Sequence, residues 1–326
     1  MARRLEWAVE NGPLAEWFRW ARNRNVVYFP NPGNAGDGLI ALATYQMFAR
    51  HGISWTPLQK QNLSGEIVVI AGGGNLVPLY GSCTQALRAA MPHAKMVVVL
   101  PHTITGQGEL FRAAGADVRV FCRDVPSYAE CLGYDSQARF DIAHDMAFFL
   151  DWEALLADAD TAALAQPRLV EALKTRGLTL AGHVVDRAVS CLRNDKERTR
   201  VALPRGNIDI SAAFATGVMP EAARIASWMV LEFLRLAGSV TTDRLHAAIG
   251  ACLVGTPVRA LDNSYGKVSS IWRHSIRGRY PNLTFDTAAA EAGAVAAAGP
   301  DAAEQGGQAP DAALEAAEAP LAAEAP

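Results

Sequence analysis

Arg193 and the run Arg244-Leu245-His246 are the residues of this 326-residue chain whose types most directly suggest chemistry. Arginine offers paired donors to a carboxylate or phosphate, and a neighbouring histidine can move a proton near neutral pH. Each follows a short apolar run, at residues 188–192 and 239–242, of the kind that forms a buried strand. Converging on one cleft, they suit an acid that bears both a carboxylate and a phosphate; charges at helix ends facing solvent are the alternative. Lys267, after Ser264-Tyr265-Gly266, is a further anion ligand or a solvated lysine, and Asp243 reads as the cap of the helix that carries His246.

The N-terminal half repeats the pattern with glycine and amide residues. Behind the run at 26–29 stands Asn31-Pro32-Gly33-Asn34-Ala35-Gly36-Asp37, which opens a helix. Its glycines let backbone approach a ligand, and a helix N-terminus has free N–H groups for an anion. The spacing matches neither a dinucleotide fingerprint nor a P-loop. Asp37 can act on a ligand or simply cap the helix. Gly72-Gly73-Gly74-Asn75 ends the run at 67–71, where either a close approach or tight helix–strand packing explains three glycines. His102 follows the run at 96–100, which the pattern ends at Pro101, and has a structural as well as a ligand-contacting reading. Arg123-Asp124 follows 118–121 and reads as an ion pair at a helix start or as a ligand contact.

These residues need strand ends to hold them. Continuous apolar runs alternating with helical stretches imply parallel sheets covered on both faces, with ligands beyond the carboxyl ends of the strands. The organisation expected is an amphipathic helix at 1–25 and an α/β domain at 26–150. A helical connection follows at 151–187, then a second α/β domain at 188–286 and a disordered Ala/Glu/Pro-rich tail at 287–326. The N-terminal helix packs on the body or docks at a membrane or partner through its tryptophans. Formal net charge is −3, but the tail holds seven acids and no Lys or Arg, leaving 30 basic against 26 acidic residues in 1–286. That mild positive excess suits a small anion or an anionic membrane surface, and is too weak to argue for nucleic acid. The five cysteines are scattered, with no disulfide framework or metal-ligand cluster, so a cytoplasmic protein is expected. No signal-type or membrane-spanning apolar stretch is seen.

Taken in order, the motifs resemble the polysaccharide pyruvyl transferase family. The match runs through Gly33-Asn34-Ala35-Gly36-Asp37, Gly72-Gly73-Gly74-Asn75-Leu76, Leu100-Pro101-His102-Thr103-Ile104 and Arg123-Asp124-Val125-Pro126-Ser127. It continues through Asp145-Met146-Ala147-Phe148, Leu192-Arg193-Asn194-Asp195, Thr242-Asp243-Arg244-Leu245-His246, Gly255-Thr256-Pro257 and Tyr265-Gly266-Lys267, spanning about residues 26–275. His102 stands where many members carry glutamine, and Asp145-Met146-Ala147 replaces Asp-Pro-Ala, a change read as affecting backbone only.

The resemblance implies two Rossmann-like domains in a GT-B-like arrangement around a cleft. It implies phosphoenolpyruvate as donor and a sugar of a cell-surface polysaccharide precursor, including a lipid-linked one, as acceptor. A cyclic pyruvate ketal forms, with no redox cofactor and no metal. His246 is then the general acid, and Arg193 and Arg244 hold carboxylate and phosphate, with Leu245 and Lys267 on the donor side. Asp37 handles an acceptor hydroxyl, while Asn34, Gly73, Asn75 and His102 line the acceptor side. A lipid-linked acceptor would bring the enzyme to the cytoplasmic membrane face as a peripheral protein. The competing readings are a nucleotide-sugar glycosyltransferase of the same architecture and a non-catalytic subunit of a polysaccharide assembly complex.

Overall fold

The computed structural model describes residues 11–59, 62–195, 197–198, 201–264 and 266–286. Helix α1 (Pro13–Trp20) precedes β1 (Asn25–Phe29), α2 (Ala35–Arg50), β2 (Ser54–Pro57), β3 (Ile67–Ile70) and β4 (Gly73–Leu76). Then come α3 (Ser82–Ala90), β5 (Met96–Ile104), α4 (Gly108–Arg112), β6 (Val118–Cys122), α5 (Val125–Leu132) and β7 (Arg139–Ile142). These strands form one parallel sheet in the order β2-β1-β3-β5-β6-β7, with β4 paired to the far end of β5. Strand β3 (IVVI) is buried at all four positions. Successive side chains point to opposite faces, so Val68 and Ile70 join one apolar core and Val69 the other.

A 3-10 turn at Met146–Phe149 leads into the connection, helices α6 (Trp152–Ala157) and α7 (Ala159–Lys174) and a π turn at Leu180–Val184. The second half comprises β8 (Ala188–Ser190), α8 (Ile210–Ala213), α9 (Pro220–Leu236), β9 (Ser239–Thr242), α10 (Leu245–Val254), β10 (Val258–Ala260), α11 (Lys267–Ile271) and β11 (Leu283–Phe285). Its four strands are also parallel, in the order β11-β10-β9-β8. Two parallel α/β sheets are thus present, the Rossmann-like, GT-B-like class expected.

One apolar core joins the halves. It contains Val69 and Val98 of the first sheet, Leu39 and Ile40 of α2, Ala226 and Val230 of α9, and Val240 and Val258 of the second sheet. Each fully buried Leu or Ile contributes about 1.5–3 kcal/mol. Helix α2 is apolar nearly all round because it is covered on both sides. It passes close to α9 at Gly38, where a Cβ would lie 3.3 Å from the Ala226 Cβ. Tyr45 of α2 adds a 2.9 Å hydrogen bond to the Val218 carbonyl. The strand ends of both sheets are therefore held in fixed relation.

The structure corrects several local expectations. Strand β5 does not stop at Pro101 but runs to Ile104, because the glycine turn itself becomes β4 and pairs Gly73 with His102 and Leu76 with Ile104. The ladder register shifts between Val99 and His102, around the proline that lacks an N–H. Asp243 does not cap α10; Arg244 occupies the N-cap position, and the Asp243 carboxylate instead accepts from the Arg193 amide at 2.8 Å. Arg123 does not pair with Asp124. Asp124 caps α5 through Ser127 N at 2.9 Å, and Arg123 turns to Asp145 at 2.6 Å. In α1, Trp17 is 1% and Trp20 42% exposed, so most of that helix face packs on the body. Trp7, the rest of segment 1–10 and the tail 287–326 lie outside the described residues. Among the described residues no helix is long and apolar enough to cross a membrane.

Candidate active site

The strand ends of both sheets open into one cleft of about 210 Å³. Asn34, Asp37, Asn75, Arg193, Arg244, Leu245, His246 and Lys267 all line it, joined by Tyr80, Ser82, Asp195 and Glu197. Eight of the ten residues singled out in the sequence thus meet at one place. Gly73 and His102 stand behind the wall.

The first wall is built by the β1–α2 turn and β4. At the start of α2, Gly36 N donates to Asn34 Oδ1 and Asn34 N donates to Asp37 Oδ2, both at 2.8 Å, which closes a capping box. Asp37 therefore both caps the helix and faces the cleft. Burial raises its carboxyl above the ordinary range, against the pull of His246, the Asn34 amide, Lys267 and Arg123. In the glycine triplet the two readings divide by position. A Cβ on Gly72 would sit 2.7 Å from the Pro101 carbonyl, a packing constraint. One on Gly74 would sit 2.2 Å from Lys267 Nζ and 2.5 Å from Arg123 Nη2, a close approach of two cations to backbone at the cleft.

Asn75 is fixed by three neighbours. Its Nδ2 donates to Asn31 Oδ1 at 2.7 Å and to Ser82 Oγ at 3.1 Å, and its backbone amide donates to His102 Nε2 at 3.2 Å. His102 is fully buried, its Nδ1 3.2 Å from the Ala71 carbonyl. Burial, aided by the Arg123 charge, pushes its pKa down to about 3, so the ring is neutral. Direct contact of His102 with a sugar, as expected from its place in the motif, is replaced by support of Asn75. The cause is the extension of β5, which carries residue 102 into the sheet.

The second wall is a network of fixed charges. Arg193 Nε and Nη2 hold the two oxygens of Asp195 at 2.8 and 3.1 Å, and Nη2 pairs with Glu197 at 2.8 Å. Arg244 holds Asp209 through Nε at 2.9 Å and through Nη2, which also reaches Asp195 at 2.8 Å. Burial opposes the charge on Asp195, but the two guanidinium groups outweigh it and hold its carboxyl down at about 2. Glu197 also accepts from the Tyr80 hydroxyl, which ties the two walls together across the cleft. Lys267 starts α11, its amide donating to Asn263 Oδ1 at 2.8 Å. Its side chain is half-buried in the cleft wall. Burial and the neighbouring Arg123 lower its pKa to about 8, with Glu197 acting the other way.

His246 lies in the first turn of α10, between the walls. Its Nε2 is 3.6 Å from Asp145 Oδ2, and a Cβ on Gly36 would meet its Nδ1 at 2.2 Å. Asp145 also accepts from Arg123 Nη1 at 2.6 Å, with both side chains fully buried. Arg123 Nε donates to Thr103 Oγ1 at 2.8 Å, and its Nη2 has no hydrogen-bond partner. The aspartate that Asp-Met-Ala keeps in common with Asp-Pro-Ala thus carries charge into the site. Sequence reasoning left Asp145, Tyr80, Glu197 and Asp209 out of the site and stopped short of placing Arg123 in it. For Arg123 the strand-end position was a usable signal, for Asp145 its place in a motif of the resemblance and for Glu197 its place four residues after Arg193; Tyr80 and Asp209 carry none without the fold.

Comparison with known proteins bears on the family and the fold. Over 285 residues the chain is 24% identical to "Putative pyruvyl transferase EpsO" of Bacillus subtilis (strain 168), covering 79% of this chain and 87% of that protein. A crystal structure of an uncharacterized protein, KP1_0663 from Klebsiella pneumoniae subsp. pneumoniae NTUH-K2044, superposes with a TM-score of 0.66 at 29% identity, covering 88% of this chain and 99% of that one. The family model for polysaccharide pyruvyl transferase matches residues 34–265, from the cap of α2 through β2–β10 to the approach of α11. With most of both walls inside that span, the chain belongs to the polysaccharide pyruvyl transferase family.

Proposed function

We propose that the protein transfers pyruvate from phosphoenolpyruvate to a sugar of a cell-surface polysaccharide precursor, forming a cyclic ketal and releasing phosphate. The observation that carries this reading is the meeting, in one cleft, of an imidazole with three cationic side chains, Arg193, Arg244 and Lys267, on one side and a helix cap with fixed amides on the other. A small dianionic acid needs the first group and a polyol the second.

The chemistry requires a proton on C3 of the enol, positive charge at C2, loss of phosphate, and addition of two hydroxyls at C2. Overall one hydroxyl proton ends on the new methyl group and the other on the departing phosphate. His246 delivers the proton to C3. Arg193 and Arg244 hold the carboxylate and phosphate with Lys267 beside them, and fixed cations stabilise charge as phosphate leaves. Asp195, bridging both arginines and 40% exposed, is the carboxylate that an incoming anion displaces. On the facing wall Asp37, Asn34 and Asn75 orient the acceptor hydroxyls, with Asp37 accepting the proton of the attacking one. The protein works in the cytoplasm, and the mild positive balance of residues 1–286 draws it to lipid-linked acceptor at the membrane face.

The test is phosphate release by purified protein given phosphoenolpyruvate, with and without lipid-linked oligosaccharide, followed by mass spectrometry of the glycan. The expected result is acceptor-dependent phosphate release and a gain of about 70 Da on the glycan, consistent with ketal formation after proton transfer to C3. Turnover with a nucleotide sugar in place of phosphoenolpyruvate would replace this reading with glycosyl transfer.

A further inference from the structure

We infer that Asp145 is the positioning residue for His246, and that it selects Nδ1 as the nitrogen that hands a proton to the substrate. The part played by the proton rests on the pyruvyl-transfer reading; the arrangement of the ring does not.

Asp145 precedes the 3-10 turn, where its Oδ1 accepts from Ala147 N at 2.9 Å, so backbone aims the carboxylate. Its Oδ2 receives Arg123 Nη1 at 2.6 Å and lies 3.6 Å from His246 Nε2. Neither Asp145 nor Arg123 has side-chain exposure, so the ion pair sits out of water, where charges act strongly on their neighbours. The His246 Nε2 atom is itself buried and has no hydrogen-bond partner, and the nearby carboxylate is the acceptor its proton faces. Its Nδ1 lies on the opposite side of the ring, against Gly36 at the N-terminus of α2, where only a glycine leaves room. The charged groups around the ring are Asp145 behind it, Asp37 on α2, Arg123 beyond Asp145 and Lys267 on α11. Burial works against the Asp145 charge, but Arg123 and His246 outweigh it and hold the carboxyl well below the usual range. Asp145 therefore remains a carboxylate throughout.

A carboxylate at Nε2 keeps that nitrogen protonated in the neutral ring and steadies the imidazolium. The mobile proton is then the one on Nδ1. In the transfer step it leaves Nδ1, the electron pair of the C2–C3 double bond forms the new C3–H bond, and C2 becomes oxocarbenium-like. The ring returns to its neutral Nε2–H form. Arg123 alone would need a counter-ion, and on that simpler view Asp145 would leave the histidine untouched.

Two experiments on the full chain separate these views. The first is a long-range ¹H–¹⁵N spectrum of histidine-labelled protein, with the His246 signals assigned by their loss in His246→Gln. The neutral ring is expected as the Nε2–H tautomer; an Nδ1–H tautomer or a rapid mixture would overturn the inference. The second is the Asp145→Asn variant, whose amide oxygen can still accept from Ala147 N. It is expected to lower kcat about tenfold or more while donor KM changes far less. A folded Asp145→Asn with unchanged kcat would overturn the inference; should that variant fail to fold, the wild-type tautomer decides. If wild type turns over no phosphoenolpyruvate with a competent acceptor, the pyruvyl reading fails while the spectrum still reports on the Asp145–His246 contact.

Discussion

The two walls of the cleft are made of different materials. The first is backbone, glycine and amide: Asn75 held by Asn31, Ser82 and His102, and a helix start closed by its own capping box. The second is charge on charge, with Arg193 and Arg244 sharing Asp195 and each holding a further carboxylate. A wall of neutral hydrogen bonds discriminates by direction and suits hydroxyls, whose contacts contribute about 1 kcal/mol each. A wall of preset arginines grips an anion strongly, and its carboxylates keep the guanidinium groups in place while the cleft is empty. On the proposed reading the contrast teaches how one site divides its work, polyol on one side and dianion on the other, with His246 at the seam.

The largest effect is expected from the charged wall. Arg244→Ala should lower kcat/KM for the donor about a hundredfold or more, the scale of truncating one partner of a buried charge pair. It should also lower thermal stability, since Asp209, 3% exposed, loses its partner. An unchanged donor kcat/KM would remove Arg244 from the donor clamp.

A smaller effect follows from Lys267, whose pKa is lowered to about 8. Below that pH it is charged and, on the proposed reading, holds the anionic donor; above it the charge is lost. Donor KM should therefore stay flat up to about pH 8 and then climb, about tenfold per pH unit at most. Lys267→Met should show a raised KM with that rise removed. A wild-type donor KM that is level to pH 10 would contradict the role.

The smallest effect belongs to the neutral wall. Asn75→Ala should raise acceptor KM about five- to tenfold, as expected for one or two neutral hydrogen bonds, and leave donor KM in place. His102→Gln, which still offers a side-chain oxygen near Asn75, should change acceptor KM less. Equal shifts in donor and acceptor KM would blur the division between walls.

The same contrast explains what could be read from the sequence. The strands with runs of β-branched residues, such as Ile67–Ile70, announce themselves because both of their faces are buried. Strand β2 (Ser54–Pro57) does not, since it is an edge strand with half-exposed positions and a proline. Nor does β4, whose glycines disfavour a strand and whose existence depends on pairing with β5. In the site, residue types at strand ends located Arg193, Arg244, His246 and Asp37. Two partners were hidden because Asp145 and Asp209 reach them only through the fold, from the starts of the 3-10 turn and of α8, whereas Glu197 lies just four residues beyond Arg193. His102 shows the opposite failure. Its spacing marked it, but the extra pairing of β4 buried it one layer too deep to touch a ligand.

The most direct test of this division is calorimetric titration of phosphoenolpyruvate, without acceptor, into wild type, Arg244→Ala and Asn75→Ala. The account expects Asn75→Ala to bind the donor as wild type does and Arg244→Ala to bind it at least about tenfold more weakly. Donor binding weakened as much by Asn75→Ala as by Arg244→Ala would contradict it.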